Sequence, residues 1–129
     1  MHNIQNSKAL NEPKYIDEEI IQQIIRDTDA SIMPELIQFY IIESKERVDT
    51  ISKAEKEKDF HTLEFETHTL GSSALTLGNI ALSAISREIE LHCMQQQFDE
   101  ALEKSALLPD IARKSFSALE TRNAQGFTK

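Results

Sequence analysis

Apolar positions recur along most of this chain at alternating intervals of three and four, the spacing of helices that bury one face. Ile16, Ile20, Ile21, Ile24 and Ile25 give a short first helix an apolar side. Asp17 can cap it, and Glu18 and Glu19 suit its first turn. The polar run Arg26-Asp27-Thr28-Asp29 should end it. A second helix is predicted from near Ser31 to about Lys56, with Pro34 tolerated in its first turn. Ile37, Tyr40, Ser44, Val48 and Ile51 follow one side of it. Phe39 and Ile42 point elsewhere, which fits either a broad core contact or a docking surface.

The third helix is the one around which the chain is organised. Asp59 can cap it and Gly78 can end it. Phe60, Leu63, Thr67, Leu70, Ala74 and Leu77 form its inner stripe. At about 100° per residue, His68 lies roughly 140° from the middle of that stripe and should face solvent. Asn79 can cap a fourth helix running to about Gln96, with Leu82, Ile85, Ile89, Cys93 and Met94 on its inner side. Residues 98–122 read as a last helix built on Phe98, Leu102, Leu108, Ile111, Ala112, Phe116 and Leu119, which Pro109 should kink or split. Four long amphipathic segments with short connections predict an all-α fold, an antiparallel four-helix bundle with a short additional N-terminal helix. Residues 1–15 read as a flexible tail, 16–122 as one domain and 123–129 as a frayed end.

Composition supports this and narrows the chemistry. Of the 129 residues only three are Gly and three Pro, little material for the tight turns of an all-β fold. A net charge of −8 argues against nucleic acid as a partner, because phosphate binding needs clustered Lys and Arg. Cys93 is the only cysteine, so no internal disulfide can form, as suits a reducing cytoplasm. No signal peptide and no run of about 18 apolar residues is present, so a cytoplasmic protein with no membrane partner is expected. The glycines stand at 71, 78 and 126, which excludes both G-x-G-x-x-G and a Walker-type loop. Intrinsic kinase or ATPase activity is therefore not expected. His61, Glu64 and His68 could grip a metal only weakly, lacking a fourth ligand, and the repeated Glu-x-x-His pairs of a bundle metal site do not occur.

That leaves His68 as a lone nucleophile or an incidental surface residue. His61, Glu64, Phe65, Ser72 and Leu75 share its side on the projection, with Gly71 at the edge. Phe65 and Leu75 are apolar side chains aimed away from the core, beside the imidazole. A helical Gly costs about 1 kcal/mol relative to Ala. Gly71 is either a tolerated weakness or a point of close approach.

The segment His68-Thr-Leu-Gly-Ser-Ser-Ala-Leu-Thr-Leu-Gly78 resembles the signature of histidine-containing phosphotransfer (HPt) domains, approximately H-x-L-K-G-S/A-S/A-x-x-L/F-G with a closing L/I-E. Leu70, the small residues, Gly78 and Ile89-Glu90 fall in register, and the resemblance extends over about residues 15–120. Two positions depart from the pattern: Gly71 stands where the family usually has Lys, and Ser72 where it usually has Gly. Ser at the latter position is similar to LuxU-like phosphotransferases. The resemblance implies that His68 is the phosphorylated residue of a phosphorelay intermediate. It would take the group from a receiver-domain aspartyl phosphate and pass it to, or back from, a response regulator. The partners implied are receiver domains of a hybrid kinase or a regulator. No cofactor of the chain's own is implied, the receiver bringing Mg²⁺. Ser72 is a candidate hydrogen-bond helper, and Gly71 a place where a receiver loop could come close. His61, Glu64, Phe65 and Leu75 are candidate docking residues. Lys in place of Gly71 is expected to be tolerated by the fold, and a monomer is the simplest expectation. The competing reading is a helical adaptor with an incidental histidine.

Overall fold

A computed structural model describes residues 14–128, so residues 1–13 of the expected tail lie outside the described part. Six α-helices follow in order: α1 (Glu18–Asp27), α2 (Met33–Glu57), α3 (Phe60–Thr76), α4 (Ile80–Met94), α5 (Phe98–Ser105) and α6 (Leu108–Ala124). A 3₁₀ turn, Ala30–Ile32, leads into α2, and no strand occurs among the described residues. Helices α2, α3, α4 and α6 close a ring in which each packs on two neighbours. This is the four-helix bundle that the apolar spacing predicts. Among the described residues no helix is long and apolar enough to cross a membrane.

The helix ends follow local chemistry. Asp17 accepts a hydrogen bond from the Glu19 amide at 3.0 Å, and Asp59 accepts from the Thr62 amide at 3.1 Å. Each satisfies a backbone donor that the first helical turn leaves unpaired. Gly78 takes φ +78° between α3 and α4, and its carbonyl accepts from the Asp17 amide at 2.8 Å. A Cβ there would lie 3.0 Å from the Asp17 carbonyl oxygen. Glycine is thus required both by conformation and by space, and the contact ties α1 across this end of the bundle. Glu18 completes the attachment by pairing with Arg122 of α6 at 2.8 Å.

Ile21 and Ile25 of α1 join Met33, Ile37, Ile51, Leu63, Leu70, Leu82, Ile89, Leu108 and Leu119 in one fully buried core. At about 1.5–3 kcal/mol for each side chain of this size, such burial is the dominant stabilising term. Thr67 is also completely buried, and its hydroxyl donates to the Leu63 carbonyl at 2.7 Å, which removes the cost of an unpaired polar group.

Several expectations change in the folded chain. Met94 points outward, 59% exposed, at the end of α4, where Cys93 rather than Met94 takes the inward position. Asn79 does not cap α4 with its side chain. Instead it is wholly buried, accepting from the Tyr40 hydroxyl at 2.8 Å and donating to the Tyr15 and Ser115 carbonyls at 3.0 and 3.2 Å. Pro109 splits the last segment: α5 stops at Ser105, and the proline sits in the first turn of α6, where its missing N–H costs nothing. Phe98 is partly exposed but stacks on Phe60 with ring centroids 4.1 Å apart. The last helix continues to Ala124, two residues beyond the expected end, and the Arg122 guanidinium lies over the Phe127 ring at 4.6 Å. Phe39 and Ile42 are solvent-exposed, which removes the broad-core reading for both.

Candidate functional site

The inner stripe of α3 turns His68 outward, but the neighbouring helix decides what the imidazole meets. Gly71 is buried in the seam between α3 and α4. A Cβ on it would meet Arg87 Cγ at 3.2 Å and Ser86 Cβ at 3.5 Å. The Ser83 hydroxyl donates across the same seam to the Gly71 carbonyl at 2.8 Å. Small residues on both sides therefore let the two helix backbones approach closely. This corrects the placement of Gly71 at the edge of the histidine face: it acts on the site by setting the spacing of α3 and α4. A side chain there would bring its Cβ to 3.2 Å from Arg87 Cγ, so the stem of that exposed, flexible side chain would have to shift by a few tenths of an ångström.

With the seam so fixed, α3 and α4 present paired residues. His68 lies opposite Glu90, its Nδ1 2.7 Å from Glu90 Oε2. An ionised carboxylate can only accept, so in the neutral ring this contact places the proton on Nδ1 and leaves Nε2 with its lone pair. The His68 side chain is 60% exposed, whereas that of Glu90 is only 17% exposed and held firmly against the bundle. One turn along, Ser72 lies opposite Arg87, with Nη2 3.5 Å from Ser72 Oγ.

The other expected residues fall into two groups. His61, Glu64 and Phe65 join His68 and Glu90 around a shallow depression of about 250 Å³. Phe65 is 61% exposed at its margin. Ser72 and Leu75 are exposed further along α3 and lie outside the depression. Cys93 is buried beneath, its thiol pushed up to about 11 by burial, with the Glu64 and Glu90 charges adding to the effect. It is thus a neutral packing residue. Among the described residues no group of three His, Cys, Asp or Glu side chains is placed to hold a metal ion.

Two residues of the site carry no clear signal in the sequence. Glu90 is visible there only as the end of the family pattern, and Arg87 not at all. Both are exposed-looking charges on a helix, a pattern that usually means a solvated face. Phe39 likewise lines a small groove with Ser73 and Thr76, bringing an apolar side chain of α2 to the flank of α3.

The Hpt domain family model matches residues 35–121, which include α3, α4 and most of α2 and α6. No curated protein matches the chain in sequence. The fold is similar to the crystal structure of histidine-containing phosphotransfer protein B (HptB) from Pseudomonas aeruginosa PAO1, with a TM-score of 0.80 at 13% identity, covering 90% of this chain and 100% of that one. Hpt domains serve histidine phosphotransfer in two-component signalling, and with its family signature spread over two-thirds of its length, this chain belongs to the Hpt domain family.

Proposed function

We propose that the protein is a phosphorelay intermediate in which His68 Nε2 accepts a phosphoryl group from the aspartyl phosphate of a receiver domain. The group is then passed to, or returned from, a response regulator. The observation that carries this reading is the 2.7 Å contact between His68 Nδ1 and Glu90, which leaves Nε2 as the free nucleophilic nitrogen on an exposed ring.

The receiver supplies the phosphoryl group and the carboxylate that leaves, and this chain supplies the nucleophile. The Nε2 lone pair attacks phosphorus as the bond between phosphorus and the aspartyl oxygen breaks, and that electron pair leaves with the carboxylate. The ring keeps its Nδ1 proton and gains a positive charge, which the Glu90 carboxylate beside it stabilises. Phosphoryl transfer asks mainly for alignment and charge stabilisation, so a rigid helix presenting one oriented imidazole suits the task. The receiver brings its own Mg²⁺. Phe65 and Leu75 supply apolar contact to that partner, while His61 and Glu64 line the depression beneath it. Ser72, one turn from His68 on α3, would donate its hydroxyl to a phosphoryl oxygen.

Incubation with a radiolabelled, phosphorylated receiver and Mg²⁺ tests the proposal. Acid-labile, base-stable label is expected on the wild-type protein and is expected to vanish in His68→Gln. Absence of label from every receiver tried, with the helical fold intact, would leave a helical adaptor as the better reading.

A further inference from the structure

We infer that Arg87, on α4, is the cation that holds the phosphoryl group once it is on His68. The inference rests on His68 being the phosphorylated residue and goes further by assigning the group that stabilises the product. Three observations carry it. The first is electrostatic. After transfer, a dianionic phosphoryl group would stand at a site bordered by Glu64 and Glu90, with no lysine on the adjoining turn of α3. Two carboxylates near a dianion disfavour it unless a cation is close. The second is placement. Arg87 is one turn from Glu90 on α4, and its guanidinium reaches Ser72, one turn from His68 on α3. The third is availability. Among the described residues no carboxylate lies within 4.0 Å of Arg87, and its contact with Ser72, at 3.5 Å, is at the outer limit of a hydrogen bond. A guanidinium so loosely engaged can turn to an incoming phosphoryl group and offer it two parallel N–H donors.

Gly71 gives the arrangement its logic. A Cβ at that position would lie 3.2 Å from Arg87 Cγ, so a side chain from α3 and the stem of Arg87 compete for the same passage to the histidine face. The bare glycine leaves that passage to Arg87. Arg87 on α4 thus takes the part of the lysine that α3 lacks.

The experiment charges the full-length protein with phosphoramidate, a small phosphoryl donor that needs no receiver, and follows the phosphohistidine by ³¹P NMR as pH is varied. A neighbouring guanidinium favours the dianion and so lowers the pH at which the phosphoryl group takes up its proton. Arg87→Ala is expected to raise that midpoint by about half a pH unit. It is also expected to shift the phosphoryl equilibrium with a receiver away from His68 by several-fold. Arg87→Lys should retain most of the wild-type behaviour. Gly71→Lys combined with Arg87→Ala, which removes the crowding atom while restoring a cation from α3, should bring the midpoint back down. Identical midpoints and equilibria for wild type and Arg87→Ala, with both labelled on His68, would overturn the assignment of Arg87 while leaving phosphotransfer intact. Failure of the wild-type protein to take label on His68 from phosphoramidate or from any receiver would overturn both.

Discussion

Removing the carboxylate that orients His68 should slow phosphoryl transfer without unfolding the protein. In Glu90→Ala the 2.7 Å contact to Nδ1 is lost. A hydrogen bond to a charged group contributes about 1.5–3 kcal/mol. The imidazole is 60% exposed, however, so water replaces much of the contact and about 0.5–1 kcal/mol remains. During transfer the ring becomes positively charged, and losing a neighbouring negative charge near the surface costs about a further 1 kcal/mol. The sum, about 1.5–2 kcal/mol, corresponds to a transfer rate reduced roughly 10- to 30-fold. Glu90→Gln keeps an acceptor oxygen but not the charge, so it should recover the orientation and fall between the two. Rapid-quench measurement at saturating phosphorylated receiver gives the rates, and ¹⁵N shifts of the His68 ring report which nitrogen carries the proton. Wild-type rates in Glu90→Ala would show that the carboxylate contributes nothing to the transfer. A wild-type ring protonated on Nε2 rather than Nδ1 would refute the reasoning.

Other predictions probe the scaffold and the docking face. Asn79→Ala should destabilise the fold by about 2–4 kcal/mol, because it removes the acceptor of the buried Tyr40 hydroxyl and the donors to two carbonyls; thermal unfolding measures this, and a loss below about 0.5 kcal/mol would show that water replaces the side chain. Phe65→Ala should change stability by no more than about 0.5 kcal/mol, since the ring is exposed. The same substitution should weaken receiver binding by about 1 kcal/mol or more, read by titration calorimetry; the reverse pattern would place Phe65 in the core. Cys93, its thiol raised to about 11, should react with iodoacetamide at pH 8 far more slowly than the unfolded chain. The rate should climb only as pH nears that value, and equal rates for folded and unfolded protein at pH 8 would contradict its burial.

The periodicity of apolar residues was enough to place the helices and the outward face of α3. Both follow from local rules: a helix repeats every 3.6 residues, and one stripe of Leu63, Thr67, Leu70 and Ala74 must be inside. The caps at Asp17 and Asp59 and the turn at Gly78 were equally legible, since each depends on its own backbone and a few adjacent residues. Asn79 shows where local reading stops. An Asn before a helix suggests a cap, yet here its partners are Tyr40, Tyr15 and Ser115, which only the assembled bundle brings near. The site divides the same way. His68, Phe65 and Leu75 are exposed on one helix and could be read from that helix alone. The contact with Glu90, the approach of Arg87 to Ser72 and the burial of Gly71 depend on how α3 and α4 are rotated and spaced against each other. That relation is set by the non-local fit of small side chains along their seam, so a one-dimensional pattern places the histidine on its helix, and tertiary packing chooses the charges that surround it.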